Sequence, residues 1–243
     1  MSGPRAVARR YLSEEHLWPL ARRYRALQRP LLKLRALGNF DLDALAKLHG
    51  TDKSSWGHGY ATLYQRHFGS RRRTVNTLLE IGVGGISSLH GYETPAGGQS
   101  LAMWSRYFPH AHIIGVDIHA KAVGGSRISF EQGDQADPNF LQSLIDKYGQ
   151  FDIVVDDGSH VGKHIIASME ALWDAVVPGG FYVIEDLDTA YSPDYGGGPP
   201  GTPGTAAALI KEKVDATIVR DAFRPPIAAM HIYSDIVFFE KAS

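Results

Sequence analysis

The sequence predicts an α/β fold, a mostly parallel sheet with helices on both faces. Three observations carry that prediction. Short apolar segments recur between residues 78 and 185, separated by stretches with apolar residues at helical spacing. Each apolar segment runs into glycine or acid: Gly82, Asp117, Gly133-Asp134, Asp156-Asp157 and Glu185-Asp186. Two further strand-like segments, 227–233 and 235–240, lie close enough in sequence to form an antiparallel hairpin and bring the sheet to seven strands.

Taken in order, Leu17, Leu20, Tyr24, Leu27, Leu31 and Leu34 fall at intervals of three and four and predict helix across 5–37, divided at Pro19 and Pro30. Short helices are expected at 41–50 and around 60–68, with a polar, glycine-containing loop between them. Residues 1–70 therefore read as a helical N-terminal extension or lid, and 71–243 as the main domain. There, Leu78-Leu79-Glu80-Ile81-Gly82 is a buried strand entering a glycine turn, Ile113 to Asp117 is the second strand and Arg127 to Glu131 the third. Residues 151–156 and 180–185 are the fourth and fifth. Helical patterns fill 100–107, 137–147 and 160–176, the last through Ile165, Ile166, Met169, Leu172, Trp173 and Val176. Residues 192–205, rich in glycine and proline, read as a loop.

Composition narrows the function classes. The net charge of −1 gives no global reason to bind nucleic acid, although the first 35 residues carry nine Lys/Arg against two Glu, which reads as a solvated basic helical face. The absence of cysteine excludes disulfides, thiol nucleophiles and cysteine-based zinc sites, and fits a reducing cytosol. No apolar run approaches a membrane span, and Arg9, Arg10, Glu14 and Glu15 interrupt any signal segment. The expectation is a cytoplasmic protein without integral membrane association.

Ligands of open α/β sheets bind outside the carboxyl ends of the strands, so the residues there carry the chemistry. Glu80 to Gly85 bring glycines to the first strand's exit, where a ligand can approach the backbone. Asp117 can accept bonds from ribose hydroxyls, and Gly133-Asp134-Gln135 can meet an adenine edge. A glycine turn, a ribose acid and a polar adenine contact, in that strand order, point to S-adenosylmethionine. Taken singly, Gly84-Gly85 reads equally as a tight turn and Asp117 as a helix cap.

The fourth and fifth strands supply a different set. Asp157 and Glu185-Asp186 converge if their strands are neighbours, about 4.8 Å apart. Adjacent strand residues point to opposite faces, so Glu185 and Asp186 share one ion only if the chain leaves the pleat there. An all-oxygen donor set favours Mg²⁺, Mn²⁺ or Ca²⁺ over zinc. His160, with Ser159 as the expected cap of the following helix, is the candidate general base, because a helix N-terminus disfavours imidazolium. Asp156 either holds the loop or faces the cofactor. Tyr191 and Tyr195 are candidates for stacking on a substrate ring, and 192–205 reads as a lid or as a passive linker.

On Gly50-Thr51-Asp52-Lys53, Asp157-Gly158-Ser159-His160 and Ile184-Glu185-Asp186, the chain resembles the Mg²⁺- and S-adenosylmethionine-dependent sugar O-methyltransferases of the macrolide type, and is similar to mycobacterial enzymes that methylate mannose-based acceptors. The resemblance spans residues 48–240 and includes the long insertion after Gly85. It implies a class I methyltransferase, Rossmann-like fold, metal ligation by Asp157, Glu185 and Asp186, and His160 as base. For the cofactor it implies contacts from Glu80, Gly82, Gly84, Gly85, Ile86, Asp117, Gly133, Asp134, Gln135 and Asp156, with Thr51, Lys53, His58 and Tyr60 closing over it. It further implies a sugar or oligosaccharide acceptor and a homo-oligomer, a dimer in the simplest case. Catechols also chelate Mg²⁺ and form an alternative acceptor class. A metal-dependent hydrolase using Asp157, His160, His164 and Glu185, or a binding module that keeps only the fold, are the readings from other classes.

Overall fold

The computed structural model describes residues 27–84, 86–87, 92–93, 97–219 and 227–243. The periodic leucines before residue 27, and Gly85, lie outside them. The chain divides into two compact units, up to Arg66 and from His67 onward. Among the described residues no helix is long and apolar enough to cross a membrane.

In the first unit, residues 27–35 are helical (α1) and Pro30 lies within the run, so the division expected at Pro30 does not occur there. Helix α2 (Leu42–His49) starts where the Asp41 side chain accepts from Ala44 N–H at 2.8 Å, and it stops at Gly50, whose φ of 79° is left-handed. The loop after it is held by its own backbone: His58 N–H donates to Asp52 O and Ala61 N–H to Lys53 O, both at 2.8 Å. Asp43 accepts from Lys47 Nζ and from the N–H and hydroxyl of Ser55. Burial raises the pKa of that carboxyl, but these bonds outweigh burial and hold it below its ordinary value. Helix α3 (Tyr60–Phe68) follows.

The second unit is a seven-stranded sheet. Its strands are β1 (Thr77–Ile81), β4 (His112–Asp117), β5 (Ile128–Gln132), β6 (Phe151–Asp156), β7 (Val176–Ile184), β8 (Ile227–Ile232) and β9 (Val237–Lys241). A separate two-stranded ribbon, β2 (Ile86–Ser87) with β3 (Tyr92–Glu93), sits in the long connection after β1. The sheet order is β5-β4-β1-β6-β7-β9-β8. The first five of these pair in parallel, while β9 is antiparallel to both β7 and β8. The chain builds outward from β1 on one side and then returns to its other side with β6. The switch point, where ligands of such sheets bind, thus lies between β1 and β6. This is the class I methyltransferase fold that the sequence led us to expect.

Helices α4 (Gln99–Tyr107), α5 (Pro138–Tyr148), α6 (Gly162–Leu172) and α7 (Ala206–Val219) complete the unit. Leu79, Ile81, Ile114, Val116, Val154, Tyr182 and Ile184 of the sheet meet Leu141, Leu144, Ile165, Met169, Leu172 and Leu209 of α5, α6 and α7 in one buried cluster. Phe68, Trp104, Phe108, Phe181 and Phe238 form a second aromatic group, with ring centroids 5.3 to 6.2 Å apart. Polar groups fix the ends: Asp152 accepts from the N–H groups of Asn76 and Thr77 at the start of β1, and Arg127 donates to the carbonyls of Ser105, Phe108 and Ala111 at the end of α4.

Three features depart from expectation. Strand β7 begins at Val176, through Pro178-Gly179-Gly180, because the register shifts between Phe151 and Ile153 and absorbs the break. Helix α7 was not expected. Its Ala-rich sequence shows little periodicity, although Thr205, which accepts from Ala208 N–H at 3.1 Å, is a helix-start signal in the sequence. Residues 192–205 are not wholly irregular, since Pro193–Tyr195 form a short 3₁₀ turn.

Candidate active site

At the mouth of the sheet the exits of β1 and β6 are in close contact. Gly82 has φ +83°, and a Cβ there would lie 1.9 Å from the carbonyl oxygen of Asp157. Only glycine lets these two backbones meet at the switch point. At Gly158 a Cβ would fall 2.1 Å from Gln135 Oε1, so a side chain there would displace the Gln135 amide. Asp157 N–H still pairs with Ile81 O at 2.9 Å, so β6 runs one residue past its last strand residue before it turns.

Asp156 is 2% exposed and anchors this edge. Its Oδ1 accepts from Gln135 Nε2 at 3.1 Å, and its Oδ2 accepts from the Ser168 hydroxyl and, at 3.2 Å, from the Tyr182 hydroxyl. Burial pushes the carboxyl above its ordinary pKa even though the bonds from Ser168 and Gln135 act the other way. Burial likewise drives the Tyr182 phenol well up. Of the two sequence readings of Asp156, the hydrogen bonds describe the loop-holding one. Gln135 is spoken for at its other end too, where Oε1 accepts from Ser159 N–H at 2.7 Å. The linkage Ser159–Gln135–Asp156–Ser168 was not legible in the sequence, because its members are far apart along the chain and none is periodic.

Beyond Asp156 the chain delivers Asp157 and His160, and beyond β7 it delivers Asp186. One ligand atom from each of these three lies within 4.8 Å of the other two. His160 Nε2 is 3.6 Å from Asp186 Oδ2. His160 and Asp186 have φ of 57° and 53° and are the non-glycine residues with positive φ among those described. Such a conformation costs about 1–3 kcal/mol per residue and persists where the surroundings over-determine it. Glu185 is 2% exposed, donates its N–H to Asp156 O at 3.0 Å, and is not one of the converging three. The chain does leave the pleat after it, as sharing of an ion requires: Asp186 turns left-handed and Leu187–Tyr191 form a 3₁₀ turn.

The expected cap is a correction. Helix α6 begins at Gly162, with Val161 before it and no side-chain cap, so His160 precedes the helix rather than opening it. The Ser159 hydroxyl lies 2.9 Å from His164 Nδ1 and accepts from Val161 N–H. His164 is therefore engaged with Ser159 and stands, like Glu185, outside the converging group, which leaves two of the four residues that a hydrolase reading requires. Near the cluster, the Tyr195 ring centroid lies 6.4 Å from that of His160, while Tyr191 is exposed with Lys211 Nζ 5.7 Å over its ring.

On the β1 side of the switch point, the remaining expected residues of the second unit lie along the same edge. Glu80 is buried within β1, and Gly84, with φ +66°, has open space where a Cβ would be. Ile86 starts β2. Asp117 ends β4, where Oδ2 accepts from Val83 N–H at 3.3 Å and Oδ1 from His119 N–H at 2.9 Å, with Lys121 Nζ at 3.6 Å. Gly133 packs against the Phe140 ring, and the exposed Asp134 accepts from Ala136 N–H. Thr51, Lys53, His58 and Tyr60 belong to the first unit, where Thr51, Lys53 and Tyr60 are buried.

The chain is 41% identical over 215 residues to mycinamicin VI 2''-O-methyltransferase of Micromonospora griseorubida, an alignment of 83% of this chain and 52% of the relative. The chain is a homologue of the macrolide-type sugar O-methyltransferases. Demethylmacrocin O-methyltransferase of Streptomyces fradiae is likewise 41% identical, over 83% of this chain and 53% of its own length. A solved structure of the MycE methyltransferase of the mycinamycin biosynthetic pathway, in complex with Mg, SAH and mycinamycin VI, superimposes with a TM-score of 0.75 at 41% identity, covering 83% of this chain and 54% of that one. The chain thus spans about half the length of these homologues. No family model matches it.

Proposed function

We propose that this protein is an S-adenosylmethionine- and Mg²⁺-dependent O-methyltransferase acting on a hydroxyl of a sugar, of the deoxysugar or mannoside kind. The observation that carries the reading is the convergence of Asp157, His160 and Asp186 at the carboxyl edge of a methyltransferase sheet, beside the β1–β6 switch point. Homology to enzymes named for methylating sugar-bearing macrolides and tetracenomycins supports the acceptor class.

The donor set fits a hard divalent ion. Two carboxylates and an imidazole within 4.8 Å are short of a closed zinc site and leave positions for oxygen ligands from outside the protein. Asp157 and Asp186 would hold the ion, with Glu185 adjoining through the turn at Asp186. When bound, Mg²⁺ lowers the pKa of a hydroxyl oxygen and orients a vicinal pair of them. S-adenosylmethionine supplies an electrophilic methyl carbon. The residues assigned to it are Glu80, Gly82, Gly84, Gly85, Ile86, Asp117, Gly133, Asp134 and Gln135 along the sheet edge, with Asp156 behind them and Thr51, Lys53, His58 and Tyr60 from the N-terminal unit.

His160 would take the proton from the acceptor hydroxyl at Nε2 as that oxygen bonds to the methyl carbon and the carbon–sulfur bond breaks, with S-adenosylhomocysteine leaving, and Asp186 Oδ2 would stabilise the imidazolium that results. The left-handed backbone at both residues fixes this pair before any ligand arrives. Tyr195, beside the His160 ring, gives the acceptor ring a face to lie against. The cytoplasmic location and the homo-oligomeric state expected from the sequence are part of the same proposal.

The test is calorimetric titration with S-adenosylhomocysteine, with and without Mg²⁺, followed by assay of mannosides, rhamnosides and macrolide sugars with methyl-labelled S-adenosylmethionine. Saturable binding with label appearing on a sugar supports the reading. Absence of binding in both conditions overturns it.

A further inference from the structure

The strained pair at the centre has a common fastener. The Thr189 hydroxyl lies 2.8 Å from the carbonyl oxygen of Asp186 and 3.4 Å from that of His160. Thr189 N–H also donates to Asp186 O, at 3.2 Å. His160 leaves β6 and Asp186 leaves β7, so the hydroxyl bridges the two exits at the residues whose φ is least favourable. On the far side of Asp186 the backbone is pinned again, by Leu187 N–H donating to Asp235 O at 2.9 Å.

We propose that Thr189 is a positioning residue for the His160–Asp186 pair. Its hydroxyl, shared between the two carbonyls, holds both residues left-handed and so fixes the spacing of Nε2 and Oδ2. The side chain itself points its one polar atom at backbone oxygens and performs no chemistry. A hydroxyl in this role is worth more than its single bond, because the groups that it orients must meet a ligand within a fraction of an ångström. This proposal rests on the reading of Asp157, His160 and Asp186 as the catalytic centre.

Thr189→Val keeps the shape of the side chain and removes the donor, whereas Thr189→Ser keeps the donor. The expected result is that Thr189→Val folds, binds S-adenosylhomocysteine like the wild type, and loses about 10- to 100-fold in Mg²⁺ affinity by calorimetry, with a matching fall in kcat. Thr189→Ser recovers most of both. A crystal structure of Thr189→Val should show His160 or Asp186 out of the left-handed region or the 3.6 Å spacing changed. If Thr189→Val does not fold, Thr189→Ala takes its place with the same readouts. Unchanged Mg²⁺ affinity and unchanged φ at both residues overturn the proposal, as does a Thr189→Ser variant no better than Thr189→Val. Wild-type protein that binds no divalent cation would instead overturn the reading of the site, and the backbone of the Val variant would still decide whether Thr189 is the fastener.

Discussion

His160 and Asp186 face each other with Nε2 and Oδ2 3.6 Å apart, and both do so from a backbone conformation that side chains with a Cβ rarely adopt. They come from different strands, so two unfavourable φ angles coincide at one contact.

Replacing His160 separates chemistry from strain. His160→Ala should lower the rate by about 10²–10⁴-fold with S-adenosylhomocysteine binding retained. His160→Gly should be equally slow yet more stable than His160→Ala by about 1–2 kcal/mol, because glycine takes the left-handed conformation without penalty. Urea unfolding of the two variants, beside initial rates, checks both halves. An undiminished rate in either variant would remove His160 as base.

Asp157 should be indispensable to turnover and irrelevant to fold. Asp157→Ala is expected to leave no measurable methyl transfer while affinity for S-adenosylhomocysteine changes little. Treating wild type with a chelator should reproduce that state, and Mg²⁺ should reverse it. Full activity in metal-free buffer would contradict the proposed role of the carboxylates.

Gly82 tests the switch point. In Gly82→Ala the new methyl group would collide with Asp157 O at 1.9 Å, and the residue would still need a φ of +83°. A loss of about 3 kcal/mol or failure to fold is expected. Gly84→Ala has open space around it and should be tolerated better by the fold than by the cofactor. Thermal melts and binding titrations on the two variants distinguish these outcomes.

Asp156 predicts a dependence of stability on pH. Its folded pKa is raised by burial above the ordinary 3.8, so the stability it contributes is fully present below 3.8 and is lost as pH rises through the folded value. Asp156→Asn stays neutral and should escape that loss. Across this window its stability should fall less with pH than that of the wild type, measured by urea unfolding at a series of pH values. Parallel curves would mean that the bonds from Ser168, Gln135 and Tyr182 fully offset the burial.

Much of the architecture was legible because the parallel strands are continuous apolar runs that end in acid or glycine. The ends of β1, β4 and β6 lie within a residue of where the patterns put them. Asp157 and Asp186 could be brought together on paper because β6 and β7 are neighbours. What escaped is what periodicity does not encode. The left-handed turn at His160 leaves no periodic mark, and histidine, though it takes that conformation more readily than most residues with a Cβ, still takes it uncommonly. The Gln135 and Asp156 linkage joins residues 21 apart through side chains alone. Thr189 gave no signal, since a threonine after a strand end is unremarkable until its hydroxyl is seen between two carbonyls. Helix α7 hid behind an alanine-rich run whose turn-forming approach drew the eye instead.

The bond from Leu187 N–H to Asp235 O has a consequence for assembly in time. During synthesis the chain presents Asp157, His160 and Asp186 well before the β8–β9 turn that braces Asp186 from behind. A nascent polypeptide can carry all three of these residues and still lack the bond behind Asp186, because Asp235 follows them in the chain. A chain cut short before Asp235 would keep Asp157, His160 and Asp186 and lose the bond that pins the backbone behind them.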